Sequence, residues 1–177
     1  MKLFATALLL LFLHPTTPKE EKIAWAEGRK LNWADFKGVP SGPEDYVAST
    51  NSGVSFSFSY KEQNGQSVID YTVRGNFYPN LSWYRPSKVT NYILEHEQMH
   101  FDISELCARK LRKSLATIPR DRDFKSRSEV VYEQNEKVRR EMQTQYDTDS
   151  DHSNNKEEEL RWRTYVAEQL TVYDSWK

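Results

Sequence analysis

Two histidines and a glutamate occur as His96-Glu97-Gln98-Met99-His100, the spacing H-E-x-x-H. On a helix, residues four apart lie one turn apart and about 40° offset, so both imidazoles can reach one metal ion. Glu97 lies about 60° round from His100. There its carboxylate can meet a water at the metal without ligating the ion. Zinc lowers the pKa of such a water and the glutamate takes its proton, which is the chemistry of metal-assisted hydrolysis.

A zinc site of this kind needs a third protein ligand. The candidates are His152, Glu105 and Asp102. On a continuous helix Asp102 projects about 160° from His100 and Glu105 about 140°. Residues 101–111 contain no Gly or Pro to break the helix. His152 lies on a loop and is the one spare histidine once His14 leaves with the leading segment, so it is chosen, with Glu105 as the fallback. Tyr146 is a candidate donor to the oxyanion that forms as a carbonyl is attacked. Cys107, about 10 Å along the helix axis from His100, reads as a small core residue.

Residues 147–155 form an acidic loop with a different possible chemistry. Asp147, Asp149, Asp151 and Glu158 fall at positions 1, 3, 5 and 12 of a calcium-binding loop. The glycine such a loop uses at position 6 is replaced by His152, and Asn154 stands at the usually apolar position 8. Calcium could order the loop that carries His152.

The elements that must hold these residues are visible in the pattern. Residues 54–60 alternate apolar and polar, Asn64-Gly65 marks a tight turn, and Ile69, Tyr71 and Val73 alternate on the way back. Gly75 and Pro79 are expected to end this β-hairpin, with a short strand near residues 81–84. Ser87 is expected to cap a long helix free of Gly and Pro over residues 87–118. Val89, Ile93, His96, His100, Ser104, Cys107 and Leu111 share one stripe of it. A second helix is expected over residues 126–145, with Val130, Gln134, Val138 and Met142 inward. A third runs from 157 to about 172, burying Leu160, Tyr165, Val166 and Leu170. Ahead of the hairpin, Trp25, Leu31, Trp33 and Phe36 anchor an irregular lead-in.

Composition narrows the class. The 177 residues carry 25 Lys and Arg against 26 Asp and Glu, so no basic surplus is present for nucleic acid. Aromatic content of 13% excludes simple disorder, and a single Cys excludes a disulfide scaffold. Residues 3–13 are an apolar run after Lys2, far shorter than the roughly 20 residues that span a bilayer. Residues 1–17 therefore read as a secretory signal peptide. Residues 18–177 then form one mature domain without a membrane span, periplasmic or extracellular.

The segment Leu94-Glu-His-Glu-Gln-Met-His-Phe-Asp-Ile-Ser-Glu105, with Tyr146-Asp147 and His152 downstream, resembles the predicted secreted zinc-dependent proteases of bacteria. Leu31-Asn-Trp-Ala-Asp-Phe-Lys-Gly38 is similar to that family's entry segment. The resemblance covers about residues 25–172 and implies a zincin-like metallopeptidase using His96, Glu97 and His100. That family's later motif typically has Thr two residues before its His and Gly after it; here Ser150 and Ser153 stand there. The expected architecture is α+β, a hairpin or small antiparallel sheet packed on the H-E-x-x-H helix with two further helices. The expected activity is peptide-bond hydrolysis, with an extended substrate paired on the hairpin's edge. A non-catalytic zinc- or calcium-binding interaction module is the alternative.

Overall fold

A computed structural model describes residues 20–64 and 66–177. The signal peptide expected over residues 1–17 lies outside the described residues. The elements in chain order are β1 (Ile23–Ala24), β2 (Ala48–Ser49), β3 (Ser52–Gln63), β4 (Gln66–Phe77) and β5 (Trp83–Tyr84). Three helices follow: α1 (Asn91–Ala116), α2 (Phe124–Asp149) and α3 (Lys156–Val172). The architecture is α+β with small antiparallel sheets. Among the described residues, no helix is long and apolar enough to cross a membrane.

The alternating hairpin forms as expected and is longer at both ends. Strands β3 and β4 pair antiparallel from Ser52↔Phe77 to Gln63↔Gln66, and Asn64 turns with φ 53°. Gly75 does not end β4. A side chain there would lie 2.9 Å from the Cα of Glu105, so glycine lets the strand lie directly on α1. Strand β1 pairs with the other edge of β4, giving the order β1-β4-β3. The short strand expected near residues 81–84 is β5, which pairs with β2 in a separate two-stranded sheet.

Helix α1 starts three residues later than expected. Thr90, not Ser87, accepts from the backbone N–H of Ile93, while residues 85–88 make a turn closed by Lys88 N–H to the Arg85 carbonyl. The middle of α1 is buried on every side, from His96 to Arg109. One flank packs on the hairpin through Val54, Val73, Cys107, Leu111 and Leu115. The lead-in closes a second cluster, with Leu31 and Phe36 against Phe77 and Phe101. The remaining flank meets α2 and α3 through Met99, Ile103, Tyr146 and Val166.

Two helix faces differ from expectation. On α2 the buried positions are Phe124, Ser128, Arg139 and Tyr146, whereas Val130 is exposed. Arg139 is drawn inward because it donates to the Ser52 carbonyl at 3.0 Å and is neutralised by Glu136. On α3, Leu160 and Tyr165 are exposed, and Glu159 and Val166 are buried. The inner stripe of α3 is therefore led by a carboxylate, and that carboxylate belongs to the site.

Candidate metal centre

His96 and His100 sit in the buried stretch of α1, their rings 5.1 Å apart. Both turn Nε2 toward the same oxygen, Oδ1 of Asp147, at 3.3 Å and 3.0 Å. For a tetrahedral zinc with bonds near 2.0–2.1 Å, two ligand atoms stand about 3.3 Å apart. The two histidine–aspartate separations are compatible with that spacing. Among the described residues, His96, His100 and Asp147 are the group of His, Cys, Asp and Glu whose ligand atoms converge within 4.8 Å.

Asp147 reaches this point because α2 runs one turn beyond the end expected at residue 145. Its last turn, closed by the Ser150 N–H to the Tyr146 carbonyl at 3.0 Å, carries Asp147 to α1 as a helical residue. His152, expected as the third ligand, lies just outside this converging group. Its Nδ1 lies 4.0 Å from Asp147 Oδ1 and its side chain is 56% exposed, with the ring edge against Tyr46. It lines the mouth of a cleft of about 760 Å³ that also contains His96, Glu97, His100 and Asp147.

The loop carrying His152 is held in an unusual backbone state. Asp151, His152 and Ser153 all take positive φ, at 47°, 49° and 74°. Left-handed backbone costs a non-glycine residue about 1–3 kcal/mol and persists only where the surroundings impose it. Here the imposing bonds are His152 N–H to the Asp147 carbonyl at 3.0 Å and Asn155 N–H to the Ser150 carbonyl at 2.7 Å. Asn155 then caps α3, accepting from Glu158 N–H.

Glu97 is 5% exposed and its Oε2 is buried without a hydrogen-bond partner. Burying a carboxylate oxygen unpaired is costly, and Glu97 faces the same cleft as the two histidines. The fallback ligand Glu105 is elsewhere, paired with Arg109 and Arg112 at 3.2 Å and 3.0 Å. Asp102 accepts from the Trp25 indole at 2.7 Å and from Gln98 at 2.8 Å. Both acids are buried inside α1's packing.

The acidic loop's other carboxylates do not gather on one point. Asp149 accepts from Gln145 at 2.7 Å and from the Trp162 indole at 2.9 Å, while Glu158 pairs with Arg161. Asp147 belongs to the histidine group.

Behind the histidines, away from the cleft, lies a layer that sequence reasoning missed. Glu159 is 1% exposed and accepts at Oε1 from His96 Nδ1 and, at 2.8 Å, from the Tyr146 hydroxyl. Its Oε2 accepts from Arg163 at 3.2 Å. Tyr146, expected to face the substrate, has no exposed surface; its ring stacks 4.7 Å from His96. Glu159 had a signal in the sequence, because it falls in helical register with Trp162, Val166 and Leu170.

These contacts set the charges. Burial alone would lower the His96 pKa, but hydrogen bonds to Asp147 and Glu159 outweigh it and raise the pKa to about 9. Burial pushes Asp147 up, and hydrogen bonds from His100 and His96 more than offset it, holding the carboxyl well below the usual range. Burial, then the Glu159 charge, drives the Tyr146 phenol far above its ordinary value, so it stays a donor. Burial likewise pushes the Cys107 thiol up to about 11, consistent with a core residue.

No curated protein and no solved structure matches the chain. A family model does, over residues 29–153, which is more than half of the chain and takes in β2 through α2 and the His152 loop. Its description is "Bacterial protein of unknown function (DUF922)". The protein carrying this two-histidine, one-aspartate cluster belongs to that bacterial family.

Proposed function

We propose that the chain is an exported zinc-dependent peptidase in which His96, His100 and Asp147 hold the metal and Glu97 is the general base. The observation that carries this reading is the convergence of both Nε2 atoms on Asp147 at 3.0–3.3 Å, beside a buried carboxylate oxygen with no partner. Zinc, when bound, supplies Lewis-acid polarisation of the scissile carbonyl and a lowered pKa for the attacking water. Glu97 takes the proton of that water and passes it to the leaving amine. His152, at the mouth of the cleft, donates an N–H to the carbonyl oxygen as charge develops there. Three protein ligands leave a position open for chemistry, as catalytic rather than structural zinc sites do.

The substrate path follows β2. Residues 47–50 line the cleft, and β2 has β5 on one side as its strand partner among the described residues. An extended peptide pairs with the other side. This moves the substrate from the hairpin edge expected from sequence to the short strand beside the histidines.

Two histidines and a carboxylate also serve non-haem iron enzymes, but the unpaired Glu97 has no part in that chemistry. The test is metal content of the mature chain purified without metal-affinity resin, followed by hydrolysis of casein. One zinc per chain is expected. Glu97→Gln keeps the zinc and loses activity by about 10²–10⁴-fold. Asp147→Ala loses the zinc, whereas His152→Ala retains it and loses activity. A chain that binds no zinc, or a Glu97→Gln variant with full activity, overturns the reading.

A further inference from the structure

Three groups meet on the Glu159 carboxylate in a place closed to solvent: the His96 imidazole, the Tyr146 hydroxyl and the Arg163 guanidinium. An ionised carboxylate only accepts hydrogen bonds. Its contact with His96 Nδ1 therefore requires the proton on Nδ1 and leaves Nε2 to face Asp147. Arg163 balances the charge, with Nη2 at 3.1 Å from Glu159 Oε2 and a second pairing to Glu95. Tyr146 completes the layer, stacked on His96 and edge-on to His100 at 5.3 Å.

We infer that Glu159 is the positioning residue of the metal centre: from α3 it clamps His96 with Nδ1 protonated and Nε2 aimed at the metal point. The inference rests on the metal reading above and extends it to a helix outside the matched family segment, which ends at residue 153. Asp147 holds the histidines from the cleft side and Glu159 holds His96 from behind, so the ring has a carboxylate at each nitrogen. A partner of this kind fixes the tautomer and orientation of a ligating histidine, and its loss typically costs 10–100-fold in metal affinity. Glu159 touches neither cleft nor substrate, so its effect is on how the ligand is presented.

The test compares zinc affinity, by competition with a chromophoric chelator, in the parent, Glu159→Gln, Tyr146→Phe and Val166→Ala. Glu159→Gln keeps size and helix propensity and is expected to weaken zinc about 10–100-fold. Tyr146→Phe, which removes one of the bonds that orient Glu159, weakens it several-fold. Val166→Ala removes buried packing from the same helix; it lowers the melting temperature and leaves zinc affinity within about twofold. Equal affinity for parent and folded Glu159→Gln overturns the inference, as does equal weakening by Val166→Ala. Should Glu159→Gln not fold, nitrogen-resolved NMR of the parent decides. A slowly exchanging proton on His96 Nδ1 supports the clamp, and an unprotonated Nδ1 overturns it. A parent that binds no zinc sinks the metal reading instead, and the same NMR measurement still decides the Glu159–His96 contact.

Discussion

At the scale of single residues, the two carboxylates on His96 give the site opposite responses to pH with and without metal. His96 has its pKa raised to about 9, so the metal-free chain gains stability from its charged form below about pH 6.5 and loses that gain as pH rises through 9. The lowered Asp147 and Glu159 act the other way, contributing above their unfolded pKa values and losing that contribution as pH falls. Zinc needs His96 neutral at Nε2, so binding must expel its proton. We therefore expect zinc affinity to rise by about tenfold per pH unit up to about 9, while the melting temperature of the metal-free chain falls over the same interval. Calorimetry in buffers of different ionisation heat measures the released proton directly; zinc binding without proton release between pH 7 and 8 would contradict the His96 assignment.

At the scale of elements, the loop between α2 and α3 is where sequence and structure diverge most usefully. Ser153 occupies a left-handed position at φ 74°, where the resembling family places glycine. Replacing Ser153 with Gly is expected to stabilise the fold by about 1 kcal/mol, read from denaturant unfolding, since the side chain pays for a backbone that glycine adopts freely. A loss of stability would mean that the serine side chain holds the loop. His96, Glu97 and His100 were legible because their relation is local: five consecutive residues of one helix fix it. The hairpin was legible for the same reason, its period of two running through Phe56, Phe58, Tyr71 and Val73. Asp147 was hidden because the acidic composition of residues 147–151 reads as loop, while the helix runs on to Asp149, continuing the turn whose Met142 and Tyr146 pack on α1. Glu159 was hidden among three consecutive glutamates, and only the register of the third with Trp162 and Val166 distinguishes it.

At the scale of the whole molecule, a net charge of −1 conceals an uneven surface. The described residues lining the main cleft include Asp45, Glu97, Asp147 and Asp151 but no Lys or Arg. A zinc held there as proposed would offset two of these charges, leaving those of Asp45 and Asp151, both exposed. Such a field favours cationic side chains and fades with ionic strength. Under the proposed peptidase reading, peptides with Lys or Arg near the scissile bond should show several-fold higher kcat/KM than peptides with Asp or Glu there. The difference should shrink at high salt, and a preference for acidic peptides would exclude this view of the cleft. The chain also delivers its parts in a fixed order. Helix α1 is made before α3, so His96 exists for some time without Glu159, the carboxylate that holds it from behind. Under the proposed metal reading, a chain clipped before residue 159 would keep H-E-x-x-H yet lose the carboxylate behind His96 and hold metal more weakly, so the last helix would set the competence of the first.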